Sequence, residues 1–132
     1  QDVWPFEFGL DTGRAGVEAA LGTPESVSQR PAGTQDSPGR VIIWEYPSVE
    51  FQFFEGSDNG QEFMLAATIT SKEVPLRGGL SVGMPIEDAV AILGKPDMEE
   101  GDLLVYFYFT STIEIHESDG VVDAVMLARA LP

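Results

Sequence analysis

The clearest hydrophobic pattern in the chain lies in its second half, at Leu80–Pro96. Apolar residues recur there at the i, i+3, i+4 and i+7 spacing of one helix face: Ile86, Ala89, Val90 and Leu93. Gly94 and Pro96 follow directly, and both residue types favour the end of a helix. The pattern therefore predicts a short helix that buries one face and stops at Gly94.

A similar stretch, Leu10–Pro24, lies near the N-terminus and predicts a weaker helix at 13–21. Its end, Leu21-Gly22-Thr23-Pro24, matches Leu93-Gly94-Lys95-Pro96 at the Leu, Gly and Pro positions. Each stretch is followed by short segments rich in β-branched and aromatic residues, which are typical of strands. Strands are expected at Val41–Tyr46, Val49–Phe54, Phe63–Thr70, Leu103–Phe109, Thr112–His116 and Val121–Ala128.

The remaining segments are rich in glycine, proline and polar residues, which are typical of loops. They predict a long polar loop over Glu25–Arg40, an acidic loop over Asp97–Asp102 and a hairpin turn at Asn59-Gly60. Before the first helix, Gln1–Gly9 is rich in aromatic residues. We expect this segment to pack onto the body of the protein in an extended conformation.

The two matching halves predict an α+β fold. We expect two tandem helix–strand–strand–strand repeats, at about residues 9–72 and 79–130, joined by a linker at 71–79. They would share one antiparallel sheet, with both helices packed on the same face of it. The 132 residues suit a single compact domain, because a half of about 60 residues would bury too little apolar surface to be stable alone.

The second helix and its flanks resemble the module shared by β-lactamase inhibitory protein and the SmpA/OmlA outer-membrane assembly lipoproteins. The resemblance is carried by Val82-Gly83-Met84-Pro85, Ala89-Val90 and Leu93-Gly94-Lys95-Pro96-Asp97, followed by strands. It implies a non-catalytic module whose sheet face grips a partner protein, and the tandem arrangement is closer to the inhibitor. The chain departs from the pattern at Pro85, where Thr is usual, at Asp11-Thr12, which replace the Gly-Met pair, and in having no cysteine.

Charge adds a constraint on the partner. The chain carries 22 acidic and 7 basic residues, which give a net charge of −15. Such a field repels nucleic acid and anionic membranes and attracts basic proteins, although acidity alone also keeps a protein soluble. No apolar run approaches the roughly 20 residues of a membrane-spanning helix. The absence of cysteine excludes disulfides, thiolate metal sites and cysteine nucleophiles.

The candidate partner-binding site is the sheet face that points away from the helices. Alternation assigns these residues to the core side: Phe51, Phe53, Val105, Phe107, Phe109, Ile113 and Ile115. Eight residues are then expected on the outward face: Trp44, Tyr46, Glu50, Gln52, Tyr106, Tyr108, Glu114 and His116. The aromatic residues would bury large areas, and the carboxylates would pair with Arg or Lys of a basic partner. The alternative is that the N-terminal aromatic segment or a second core layer covers this face.

Other motifs that would indicate chemistry are few. His116 shares its predicted face with Glu114, but no nucleophile motif, phosphate loop or His-Glu-x-x-His sequence occurs. The loops Asp58–Glu62 and Asp97–Asp102 lack the twelve-residue ligand spacing of a calcium loop. We therefore expect no catalytic residues, no cofactor and no bound metal.

Three functions remain open. The first is a non-enzymatic inhibitor of the immunity or antitoxin type, which neutralises a basic bacterial toxin or hydrolase. The second follows the lipoprotein resemblance and is a periplasmic envelope scaffold or assembly factor, which predicts a signal sequence upstream of Gln1. The third is an enzyme or small-ligand binder with a cavity between the sheet and the loop Glu25–Arg40. We favour the first, with a basic protein as partner and no nucleic acid or membrane span.

Overall fold

The computed structural model describes residues 13–33, 35, 38–57, 62–74, 76–108 and 111–129. Two α-helices occur in this part of the chain, α1 (Arg14–Leu21) and α2 (Ile86–Leu93). A single 3₁₀ turn at Arg77–Gly79 precedes α2. The strands are β1 (Ser26–Gly33), β2 (Pro38–Glu45), β3 (Val49–Gly56), β4 (Glu62–Ile69), β5 (Met98–Glu100), β6 (Leu103–Phe107), β7 (Ser111–Ser118) and β8 (Val121–Arg129).

The strands form one antiparallel sheet, as predicted. Hydrogen-bonded neighbours follow the order β1-β2-β3-β4-β8-β7-β6-β5, so β1 and β5 are the edge strands. The chain divides into two compact units, one made of Glu7–Ala67 and the other containing Thr68–Pro132, with the boundary inside β4. We refer to them as the N-terminal unit and the C-terminal unit.

The predicted α+β architecture of two helix–strand–strand–strand repeats with helices packed on the sheet is wrong. The structure is predominantly an eight-stranded antiparallel sheet, with two helices of eight residues each. An α-helix of that length is only about 12 Å long, and neighbouring strands lie about 4.8 Å apart, so it covers two or three strands. Two such helices cannot form a layer over eight strands, and each helix is followed by four strands rather than three.

The two strands missing from the prediction lie at the edges of the sheet. β1 occupies much of the predicted loop Glu25–Arg40, and β5 lies within the predicted loop Asp97–Asp102. Because nearly all of their residues are exposed, burial imposes no apolar alternation on either strand. The other six strands lie within a few residues of their predicted bounds. The predicted segment Gln1–Gly9 and the turn at Asn59-Gly60 lie outside the described residues.

Both predicted helices are confirmed, and each ends at a glycine. Gly22 and Gly94 have φ angles of 84° and 87°, in the left-handed region that glycine adopts without steric cost. The glycine N–H donates a hydrogen bond to the carbonyl of Glu18 at 2.8 Å in α1, and to that of Val90 at 2.7 Å in α2. The buried helix residues are Val17, Ala89 and Leu93. Within the described residues, neither helix is long and apolar enough to cross a membrane.

An ion-pair network joins α1 to the sheet in the N-terminal unit. Glu62 in β4 accepts hydrogen bonds from the backbone N–H of Arg14 at 2.6 Å, from its Nε at 2.9 Å and from a terminal guanidinium nitrogen at 2.7 Å. Glu55 in β3 pairs with both Arg14 and Arg40 at 2.7 Å. The carboxylate of Glu62 therefore caps the N-terminus of α1, where Gly13 supplies no side-chain cap.

The contact with Arg14 shifts the pKa of Glu62. Burial alone acts to raise that pKa, but hydrogen bonds from the Arg14 side chain and backbone, together with its positive charge, outweigh burial and lower it. The pKa of Arg14 is raised in turn, chiefly by its hydrogen bond with Glu62. The guanidinium and the carboxylate thus stabilise each other in their charged forms.

Candidate functional site

Trp44 belongs to the buried face of the sheet in the N-terminal unit. The register places it directly opposite Phe51, and directly opposed residues of antiparallel strands point to the same face. The Trp44 ring also contacts Phe53 edge-on, with 5.4 Å between ring centroids. An exposed fraction of 9% leaves Trp44 almost no surface to offer a partner.

Tyr46 lies two residues beyond Trp44 and also contacts the buried face. Its hydroxyl donates a 2.8 Å hydrogen bond to the carbonyl oxygen of Gly22 at the end of α1. Its ring contacts Phe51 edge-on, with 5.8 Å between ring centroids. Desolvation by burial raises the pKa of Tyr46, and the negative charge of Glu18 adds to this effect. Tyr46 therefore ties α1 to the sheet.

Glu50 and Gln52 point to the opposite face. Glu50 lies opposite Glu45, and Gln52 lies opposite Ile43. The Gln52 side-chain amide donates a 3.2 Å hydrogen bond to Oε2 of Glu50, and both residues are half-buried. The register thus separates this polar pair from the two aromatic residues that the sequence pattern had grouped with it.

The same division occurs in the C-terminal unit. Tyr106 in β6 lies opposite Ile113 in β7, is only 3% exposed, and donates a 2.8 Å hydrogen bond from its hydroxyl to the carbonyl oxygen of Gly94. Desolvation by burial is the main reason that the pKa of Tyr106 is raised. Tyr106 therefore binds the C-terminal end of α2, as Tyr46 binds the C-terminal end of α1. The Tyr106 side chain belongs to the protein interior.

Tyr108 follows the end of β6 and is half-buried. Its backbone N–H donates a 2.8 Å hydrogen bond to the carbonyl of Ser111, where β7 begins. Burial raises the pKa of the Tyr108 hydroxyl, and the carboxylate of Asp97 raises it further. Tyr108 is the one aromatic member of the predicted set in this unit that retains an accessible surface.

Glu114 and His116 lie on the face opposite to Tyr106. Glu114 is paired with Val105, and His116 is paired with Leu103. Nε2 of His116 lies 3.6 Å from Oε1 of Glu114, and the two side chains are 44% and 30% exposed. Among the residues that the structure describes, no group of three or more carboxylates and histidines could hold a metal ion.

The face that carries Glu114 extends over several strands, and we call it the outer face of the C-terminal unit. It is defined by Met98, Leu103, Val105, Phe107, Glu114 and His116. One row crosses four strands, since Met98 lies opposite Val105, Val105 opposite Glu114, and Glu114 opposite Met126 in β8. Met98 is 46% exposed and Phe107 is 53% exposed. The outer face therefore combines two accessible apolar side chains, Met98 and Phe107, with a carboxylate, while Val105 beside them is buried.

The chain around the outer face is strongly acidic. From position 97 to position 123 the sequence has no Lys or Arg. Eight carboxylates occur in this stretch: Asp97, Glu99, Glu100, Asp102, Glu114, Glu117, Asp119 and Asp123. Glu114 and Glu117 are half-buried and the other six are exposed. The backbone N–H of Glu117 donates a 2.9 Å hydrogen bond to the carbonyl of Asp102. This bond brings the acidic turn before β6 next to the acidic turn after β7.

Met98 and Phe107 were missed as surface residues. Met98 falls in the predicted acidic loop, and Phe107 was expected in the core. The strand β6 is apolar at every position, so its sequence cannot show which alternate residues face inward. The register resolves the choice, because Leu104 lies opposite the fully buried Ile115. The sequence around Met98 does not predict that this residue lies on a strand, because β5 is only three residues long and shows no alternation.

No protein-family model matches the sequence, and a comparison with curated proteins gives no match either. Among solved structures, the chain is similar to the crystal structure of the uncharacterized protein YfeY from Escherichia coli. The TM-score is 0.55 at 10% sequence identity, over 98% of this chain and 97% of that chain. At this level of identity the similarity shows a shared fold and carries no information about function.

Proposed function

We propose that this protein binds a basic partner protein and inhibits it, as an immunity protein inhibits a toxin or hydrolase, without catalysing a reaction itself. The observation that carries the proposal is the charge of the C-terminal unit, where eight carboxylates between positions 97 and 123 have no Lys or Arg among them. A partner rich in Lys and Arg is the chemical complement of such a stretch.

The carboxylates of the two units differ in their roles. In the N-terminal unit, Glu55 and Glu62 are engaged by Arg14 and Arg40 and hold the fold. In the C-terminal unit, several exposed acids lie on or beside the edge strand β5 and in turns, where like charges repel one another: Asp97, Glu99, Glu100, Asp102 and Asp119. A cationic partner would relieve that repulsion, so part of the binding free energy would come from removing the repulsion between carboxylates in the free protein.

Opposite charges would also set the kinetics of binding. Electrostatic steering raises association rate constants from about 10⁵–10⁶ to as much as 10⁸–10⁹ M⁻¹s⁻¹ at low salt. Inhibition would follow from coverage, because a stable interface buries about 800 Å² on each partner and can close an active-site cleft. Fast association is what an inhibitor of a toxic enzyme requires, and the salt dependence of the rate would follow from the electrostatic steering.

Co-expression with the product of the neighbouring gene tests this proposal, together with a panel of basic and acidic hydrolases and toxins. We expect an equimolar complex with a basic member, loss of that member's activity, and an association rate that falls at least about tenfold between roughly 50 and 500 mM salt. Absence of any complex, and of salt-dependent binding to every basic protein tested, would overturn the proposal.

A charge-reduced variant supplies the internal control. The triple change Glu99→Gln, Glu100→Gln and Asp102→Asn neutralises exposed acids beside the outer face. The matched variant Glu25→Gln, Glu73→Gln and Glu87→Gln removes the same charge from exposed positions elsewhere. We expect the first variant to slow association more than the second. Equal effects would mean that only the net charge matters.

A further inference from the structure

We infer that the outer face of the C-terminal unit is the docking surface for the partner, and that it receives a segment with apolar anchor side chains flanked by Lys or Arg. This inference rests on the proposed function and names the surface and the chemistry of the occupant. The observation behind it is that Met98 and Phe107 are both exposed on a face that also carries Glu114.

The two exposed apolar side chains are neighbours. Met98 lies opposite Val105, and Phe107 is two positions along β6 from Val105, so both belong to the same face. Diagonal neighbours on one face of an antiparallel pair lie about 7–8 Å apart. Single exposed apolar residues are normal on protein surfaces, and two neighbouring ones form a small apolar patch that one side chain of a partner can cover. One apolar side chain of a partner could contact Met98 and Phe107 at the same time.

The surroundings of this pair suit a contact that must adapt to its partner. Met126 lies two strands from Val105 in the same row and is half-buried. Methionine side chains are unbranched and polarizable, and they repack readily around an inserted group. Met98 in β5 and Met126 in β8 therefore lie at the two ends of this row. The aromatic ring of Phe107, next to the row, is the rigid part of the surface.

Glu114 gives the surface its charge preference. Its side chain is 30% exposed and lies between Val105 and Met126. A carboxylate beside apolar groups is less screened by water than a fully exposed one, so a cation that reaches it is bound more strongly. An Arg or Lys next to the partner's apolar anchor would meet Glu114 while the anchor covers Met98 and Phe107.

The same charge disfavours the other occupants of such a face. A second copy of this chain would bring two acidic stretches together, and an anionic lipid surface would be repelled by them. A neutral apolar segment would remove water from Glu114 and bring it no cation beyond His116, whose Nε2 lies 3.6 Å away, and this loss of water costs free energy. A basic and apolar protein segment is the occupant that matches both features of the surface.

Titration with a defined peptide tests the inference on the full chain. The probe is a synthetic 18-residue amphipathic helix of Leu and Lys, and its counterparts are a scrambled peptide of the same composition and a Leu–Glu helix. In amide NMR spectra, we expect the Leu–Lys helix to shift resonances of β5, β6 and β7, and the Leu–Glu helix to shift none. Shifts spread evenly over both units, or equal binding of the scrambled peptide, would overturn the inference.

Substitutions then separate this surface from general charge attraction. Met98→Glu and Phe107→Glu are each expected to weaken binding of the Leu–Lys peptide roughly tenfold, the effect of losing one central anchor. Val27→Glu is the matched control, because Val27 is an exposed apolar residue of a strand in the N-terminal unit. It adds the same charge and is expected to leave affinity unchanged or slightly raised. Melting temperatures establish that each variant is folded.

The outcomes distinguish the inference from the proposed function. If a basic partner protein is inhibited equally well by Phe107→Glu and by the unmodified chain, the docking surface is elsewhere and the proposed function stands. If Phe107→Glu abolishes peptide binding but no basic protein is inhibited by the unmodified chain, the proposed function fails. If sedimentation shows a dimer that Phe107→Glu dissociates, the occupant is a second copy and the inference is overturned.

Discussion

The hydroxyl of Tyr106 donates a 2.8 Å hydrogen bond to the carbonyl oxygen of Gly94, the residue at which α2 ends. The last carbonyls of a helix have no partner within the helix, so the tyrosine supplies the missing donor. Tyr46 makes the equivalent contact with Gly22 at the end of α1, also at 2.8 Å. In each unit, a tyrosine at or beside a strand thus fixes the C-terminal end of the helix.

Replacing Tyr106 by phenylalanine tests this contact. Tyr106→Phe removes the donor from a buried site, and we expect it to lower the free energy of unfolding by about 1 kcal/mol. Tyr46→Phe removes a bond that is more exposed to water, so its effect should be smaller. Urea denaturation followed by circular dichroism measures both. A Tyr106→Phe midpoint equal to that of the unmodified protein would show that water satisfies Gly94 equally well.

The same tyrosine predicts a loss of stability at high pH. Burial raises the pKa of Tyr106 above its ordinary value of 10.0. A group with a raised folded pKa contributes stability that is complete below its unfolded pKa and is lost as pH rises through its folded pKa. We therefore expect the free energy of unfolding to fall above pH 10, and to fall less steeply in Tyr106→Phe. Identical slopes in the two proteins would contradict this assignment.

Glu62 predicts the opposite dependence at low pH. Its pKa lies below the ordinary value of 4.5, because Arg14 outweighs the effect of burial. A lowered folded pKa contributes stability that is present above pH 4.5 and lost as pH falls through the folded pKa. Glu62→Gln should cost about 2 kcal/mol near neutral pH and flatten the acid limb of the stability curve.

The control for Glu62→Gln is Glu73→Gln, which neutralises an exposed carboxylate in the loop that follows β4. Thermal melts from pH 3 to pH 7, a range that spans the ordinary glutamate pKa, compare the two variants. If Glu73→Gln flattens the acid limb as much as Glu62→Gln does, general charge repulsion rather than the contact with Arg14 controls acid unfolding.

Gly13 allows the capping carboxylate to approach α1. A Cβ atom at Gly13 would lie 2.5 Å from Oε2 of Glu62, so the carboxylate would have to move and weaken its bonds to Arg14. The φ angle of −93° is open to alanine. Because Oε2 is the end of a flexible side chain, we expect Gly13→Ala to cost no more than about 1 kcal/mol, through weakened hydrogen bonds between Glu62 and Arg14. In a Glu62→Ala background the same change should cost nothing. Additive effects in this double-mutant cycle would exclude the crowding.

The burial of Trp44 predicts a difference between the two faces of β2. Trp44→Ala empties a site between Phe51 and Phe53 and should cost about 3–5 kcal/mol. Ile43→Ala, one residue away on the half-exposed face, should cost clearly less. Guanidinium denaturation provides both values. Equal costs would mean that both faces of this strand are equally packed.

The helices and the inner strands could be predicted because burial of one face produces a periodic pattern of apolar residues in their sequences. Ile86, Ala89, Val90 and Leu93 follow the helical repeat, and Val49, Phe51 and Phe53 follow the strand alternation. The edge strands β1 and β5 show no such pattern, since nearly all of their residues face solvent. Adding these two strands widens the predicted sheet from six strands to eight, which two helices of eight residues cannot cover.

The candidate site was harder to predict because it depends on pairing. A shift of one residue in register moves every side chain of a strand to the other face. In β6, whose residues are all apolar, no local feature distinguishes Tyr106 from Phe107. The inward choice is set by the partner strand, where Ile113 and Ile115 are buried. In β7, Glu114 and His116 alternate with the buried Ile113 and Ile115, so the sequence of this strand was enough to predict that Glu114 and His116 face outward.

The contact between Arg14 and Glu62 has a consequence for the order in which the chain folds as it is made. The two residues are 48 positions apart, so α1 is synthesised long before the carboxylate that caps it. An eight-residue helix is unstable in water on its own. A nascent chain that stops before Glu62 would leave α1 unformed, and we expect the N-terminal unit to fold only after β4 has left the ribosome.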